Sequence, residues 1–97
     1  MLNCVLDNDV ITISGEAKVQ YLESLGDCLQ RGLDSESAVR LSLAQVTEID
    51  TAGLQALLSF LLTRKEIGPV NIIDSSPVVE RALELTGLKQ AFSAFAG

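Results

Sequence analysis

Histidine and tryptophan are absent from the 97-residue chain, and only 4% of its residues are aromatic. Without histidine there is no ordinary general base near neutral pH and no imidazole ligand for zinc, so acid–base catalysis and a zinc site both lose their commonest residue. Only two cysteines occur, Cys4 and Cys28. Their spacing matches neither a disulfide framework nor a metal motif, and both are expected as small buried hydrophobes. No apolar run approaches the ~20 residues that a membrane span needs. No basic-then-apolar secretory leader is seen either, so a cytoplasmic protein is expected. Positive charge is scarce: 7 Lys and Arg face 13 Asp and Glu, a net charge of −6. That sign opposes phosphate backbones and anionic lipid, and excludes general nucleic-acid or membrane-surface binding.

What is present is aliphatic, with hydrophobic residues making up 47% of the chain. This suffices for one domain over residues 1–97 with a core of its own. Residues 1–14 read as a hairpin: Leu2, Cys4 and Leu6 alternate, Asp7, Asn8 and Asp9 turn, and Val10–Ile13 return. Ser14, Gly15 and Glu16 read as a turn into a helix over about Ala17–Arg31, with Val19, Leu22, Leu25 and Leu29 as its buried stripe and Gly32 as its C′ stop. Asp34–Ser37 form a surface loop.

Val39, Leu41 and Leu43 alternate with Arg40 and Ser42, the period of a strand. Leu54, Leu57, Leu58, Leu61 and Leu62 then recur at helical spacing as a core stripe. Gly68 and Pro69 break the chain, and Val70–Ile73 suit a short strand covered on both faces. Ser76 caps a third helix with Pro77 at N1 and Val78, Val79, Ala82, Leu83 and Leu85 as its apolar side, and Gly87 ends it. Leu88–Phe95 fits a last short helix or an edge strand. The order β-β-α-β-α-β-α predicts an α/β fold with a mixed sheet of four to five strands, parallel at its centre, and helices packed against it.

Between the central strand and its following helix lies Val46-Thr47-Glu48-Ile49-Asp50-Thr51-Ala52-Gly53-Leu54. Asp50 falls at the N-cap and Thr51 at N1. There the orphan N–H groups and the positive end of the helix dipole favour added negative charge, so a phosphate on Thr51 would be tolerated. Gly53 lets a partner or a phosphate approach the backbone. By spacing alone, Asp50 is a cap worth ~1 kcal/mol whatever the function.

Val46–Leu62 also resembles the signature of the STAS domain of bacterial anti-sigma factor antagonists and sulfate-transporter tails. Two further stretches match in the same order: Val70–Pro77 with the exit Leu85-Thr86-Gly87-Leu88, and Ile13-Ser14-Gly15-Glu16. The resemblance implies a small STAS-like domain acting as a non-enzymatic regulatory module. It implies Thr51 as phosphoacceptor, flanked by Asp50, Ala52 and Gly53 at a partner surface. By position, Gln55 on the face of the helix away from the leucine stripe, Glu16 before a helix and facing solvent, and Ser75 near the same sheet edge are expected to join it. The partner it implies is an anti-sigma factor or GHKL-type kinase. An alternative is the ATPase of a phospholipid-transport ABC complex, docked without a phosphate, and an auxiliary role in a chemotaxis gene cluster is a third. No cofactor is expected. Ala17 and Lys18 stand where the family often has an acid, and Ala52 where many antagonists carry a second hydroxyl, leaving Thr51 as the only acceptor in the motif.

Overall fold

The computed structural model describes residues 1–96; Gly97, the end of the expected domain, lies outside the described residues. The chain runs β1 (Leu2–Asp7), β2 (Val10–Ala17), a 3₁₀ turn (Val19–Tyr21), α1 (Leu22–Leu33), β3 (Val39–Ile49), α2 (Thr51–Lys65), β4 (Val70–Ser75), α3 (Pro77–Thr86) and α4 (Lys89–Ser93). The strands form one sheet in the order β1-β2-β3-β4. The β1–β2 pair is antiparallel and the other two pairs are parallel, as the alternation of elements predicts. Asn8 and Asp9 both take positive φ, 51° and 64°. That is the backbone of the two-residue turn whose twist matches a hairpin.

Register explains the core. Leu6 stands opposite Ile11, Ile11 opposite Leu41, and Leu41 opposite Ile72, one apolar row crossing all four strands. Ile11, Ile13, Val39, Leu41 and Leu43 are fully buried on this side. The neighbouring row, Val5, Thr12, Ser42 and Asp74, mixes polar groups and leaves Val5 exposed. With extents of 33 × 27 × 18 Å, the thin dimension fits one sheet and one helix layer. Leu25, Cys28, Leu29 and Gly32 are the buried stripe of α1. Gly32 is inside that helix and is not its stop. A Cβ there would lie 2.5 Å from Ile11 Cδ1 and 3.1 Å from Phe60 Cε1, so a larger residue would have to displace these side chains.

Several expected boundaries move. The strand expected to end near Ser14 continues to Ala17, because Ile11, Ile13, Gly15 and Ala17 keep the alternation through two register shifts. Val19 therefore precedes α1 and is 61% exposed rather than part of its stripe. In α2 the buried set is Gly53, Leu54, Leu57, Phe60, Leu61 and Arg64, which turns Leu62 toward solvent. Ile73, Val78 and Leu85, expected as covered, are exposed. Ser76 does cap α3 by accepting from Val79 N–H, and Gly87 closes it at φ 74°. The last segment takes the helical alternative, as α4, rather than an edge strand; beyond it Ala96 makes an isolated parallel bridge to Ile72.

The cysteines overturn their expected role. Cys4 of β1 and Cys28 of α1 are joined in a disulfide with Cα atoms 6.1 Å apart, 24 residues separating them in sequence. Packing of the hairpin on α1 brings them together, and no local spacing announces it.

Candidate functional site

Thr51 opens the fifteen-residue helix α2 and is exposed. Its surroundings are built by Asp50. One carboxylate oxygen of Asp50 accepts from Gly53 N–H at 2.9 Å, and the other accepts from Val19 N–H at 2.9 Å. The Asp50 N–H in turn donates to the Ala17 carbonyl at 3.3 Å. A single side chain thus fastens the exit of β2 to the first turn of α2. Desolvation works against the charged form of Asp50, but the N–H groups of Gly53 and Val19 and the nearby Lys18 outweigh it and hold its pKa below the usual carboxylate value.

Gly53 is buried, and a Cβ there would sit 2.0 Å from the Ala17 carbonyl oxygen. The close approach that glycine permits is made by the chain's own second strand, not by an external group. Ala52 is half-buried beside it, and Gln55 is exposed one turn further along α2. Glu16 is the penultimate residue of β2 rather than part of a turn, and its carboxylate accepts from the Met1 amino group. That bond lowers the Glu16 pKa against its desolvation and raises that of the amino group. Lys18 Nζ lies 3.4 Å from a Glu48 carboxylate oxygen.

Ser75 is not brought to this corner. It pairs with Leu43, whereas β3 runs six residues further to Ile49, about 20 Å of extended strand. It lines a separate cavity of about 160 Å³ with Ile72, Glu80, Leu83, Lys89 and Phe92. In its place the corner gains Val19, Lys18 and Glu48, which sequence reasoning did not assign. Extending the period-2 pattern of β2 through Gly15 to Ala17 would have set Val19 free of the helix and exposed it.

The family model described as Mlab, STAS domain matches residues 3–94. No curated protein sequence matches the chain. Among solved structures, an anti-sigma factor antagonist from Mycobacterium paratuberculosis superposes with a TM-score of 0.75 at 18% identity, covering 98% of this chain and 92% of that one. The anti-sigma factor antagonist SpoIIAA in its unphosphorylated form gives 0.66 at 14% identity over 93% and 84%. The Bacillus cell fate determinant SpoIIAA in its phosphorylated form gives 0.66 at 12% identity over 100% and 89%. At these identities the likeness is one of fold. Among the described residues, no helix is long and apolar enough to cross a membrane.

Proposed function

The chain belongs to the Mlab-type STAS domain family, and from that premise we propose that it is a non-enzymatic regulatory module that docks a protein partner at the Thr51 corner, with phosphorylation of Thr51 controlling the exchange. The observation that carries this reading is a division of labour at one turn. Asp50 and Gly53 are used up in building the corner, while Thr51 is left exposed at N1. A phosphate there would place ~ −1.5 to −2 charges on a surface patch near Lys18, enough to repel an acidic partner face or to recruit an arginine. The partner class is an anti-sigma factor or GHKL-type kinase, with Glu16, Gln55 and Val19 around the acceptor.

A second reading, constitutive docking on the ATPase of a phospholipid-transport ABC complex, is favoured by one observation. Val19 is 61% exposed and donates its N–H to Asp50, so an apolar side chain flanks Thr51 where a permanent interface would cover it.

One experiment tests both. Wild type, Thr51→Ala and Thr51→Glu are each titrated against the purified kinase, and separately against the ATPase, with ATP present. Under the phosphorylation reading, the wild type gains one phosphate by mass and loses the kinase. Thr51→Ala stays bound, and Thr51→Glu binds at least ten-fold more weakly. An ATPase complex that persists with unmodified Thr51 and is disrupted by Thr51→Glu selects the second reading. Equal binding by all three forms to either partner would remove Thr51 from the contact.

A further inference from the structure

We propose that the Cys4–Cys28 pair is a thiol–disulfide exchange site that clamps and releases the β1 edge strand. The reason lies in how differently the strands are held. None of the six residues of β1 is fully buried; Leu2, Cys4 and Leu6 are only partly covered, and Asn3, Val5 and Asp7 are exposed. By contrast, β2 and β3 supply Ile11, Ile13, Val39, Leu41 and Leu43 to the core with no exposure at all. The fully buried core residues of the sheet thus come from the inner strands, with Leu2, Cys4 and Leu6 of β1 packing at the margin of the core. That strand has only one pairing neighbour, β2, and a single covalent tie to the helix layer, through Cys28.

The two sulfurs are unequally placed for exchange. Cys28 is 2% exposed and sits in the middle of α1, whereas Cys4 is on the partly open outer strand. An incoming thiolate reaches Cys4 more readily. Attack forms a mixed disulfide at Cys4, breaks the Cys4–Cys28 bond and expels the Cys28 thiolate, which takes up a proton. A second thiol then attacks the mixed disulfide, departs as the oxidised dimer and leaves Cys4 as a protonated thiol. Two electrons and two protons are delivered in all, and the reductant is a small monothiol such as glutathione. With both thiols reduced, β1 keeps its ladder to β2, its partial apolar cover and the contacts of Met1 with Glu16 at its start. Its release would open the outer backbone edge of β2 from Val10 to Gly15.

The test uses the full chain in glutathione buffers of graded reduced-to-oxidised ratio, without denaturant. Thiols are counted by alkylation and mass, and amides are followed by hydrogen exchange. Both thiols are expected to appear within the range of the buffers and to disappear on return to oxidised glutathione. Amides of β1 and of residues 10–15 are expected to exchange at least ten-fold faster in the reduced protein, those of β3 and α2 unchanged. Cys4→Ser should reproduce the reduced pattern in every buffer. A pair that stays closed at the most reducing ratio overturns the proposal. So does protection lost equally across β3 and α2, or β1 protection indifferent to the redox state.

Discussion

The two ends of α2 solve opposite problems with the same helix. At its start, Thr51 is open to solvent and the cap belongs to a half-buried Asp50. At its finish, Arg64 is only 1% exposed. Its guanidinium donates from Nε to the Gly32 carbonyl at 3.1 Å and from Nη2 to the Ser35 and Ser37 carbonyls. Among the described residues no carboxylate answers this buried charge; backbone carbonyls at the end of α1 and in the loop beyond it do. Those carbonyls lie at the negative end of a helix dipole, which favours a cation. The closed end fixes the α1–β3 connection, and the open end is left free for contact. The difference teaches that one helix can be locked at one end and left open at the other.

That contrast can be broken first at the closed end. Arg64→Ala leaves three carbonyls without their donor and a void behind them. It should cost about 3 kcal/mol or more of unfolding free energy in urea titration, with Arg64→Lys recovering only part. Next comes Gly53→Ala, where the added methyl meets the Ala17 carbonyl at 2.0 Å; a loss of about 2–3 kcal/mol is expected, with the corner's amides exchanging faster.

Asp50 sharpens the comparison through pH. Its folded pKa is depressed. Its contribution is therefore fully present above the unfolded value near ~4 and is lost as pH falls through the folded value. Asp50→Ala should cost about 1 kcal/mol at pH 7. Asp50→Asn keeps a capping side chain but cannot titrate, so its stability should fall less steeply than wild type below about pH 4, read from urea midpoints against pH. The smallest effect is reserved for Thr51→Ala, expected to change stability by less than about 0.5 kcal/mol because the side chain is exposed. A large loss there would mean that the hydroxyl is structural and would erase the distinction between the ends.

Much of the fold was readable because it rests on local periodicities. The alternation in β1 and β3, the Ser76-Pro77 cap and the Gly87 stop all act within a few residues. The resemblance, through Asp50, Thr51 and Gly53, located the corner as well. What escaped depends on contacts distant in sequence. Cys4 and Cys28 meet only after the hairpin folds onto α1. Arg64 reads as a surface charge until the end of α1 supplies its acceptors 32 residues away. Ser75 looked like a neighbour of Thr51 because strand ends were taken as level, whereas β3 outruns β4 by six residues. Gly53 was assigned an outward role because its Cβ-free face cannot be oriented without β2 in place.

Arg64 also determines where the surroundings can be felt. Its carbonyl acceptors do not titrate, and burial shields the whole arrangement from ions. The Thr51 end carries instead a titrating carboxylate and two exposed ion pairs, Lys18 with Glu48 and the amino terminus with Glu16. Acidification or added salt will accordingly loosen the Thr51 end while the opposite end holds firm. Along α2, responsiveness to the medium is thereby concentrated at the end where the proposed partner would dock.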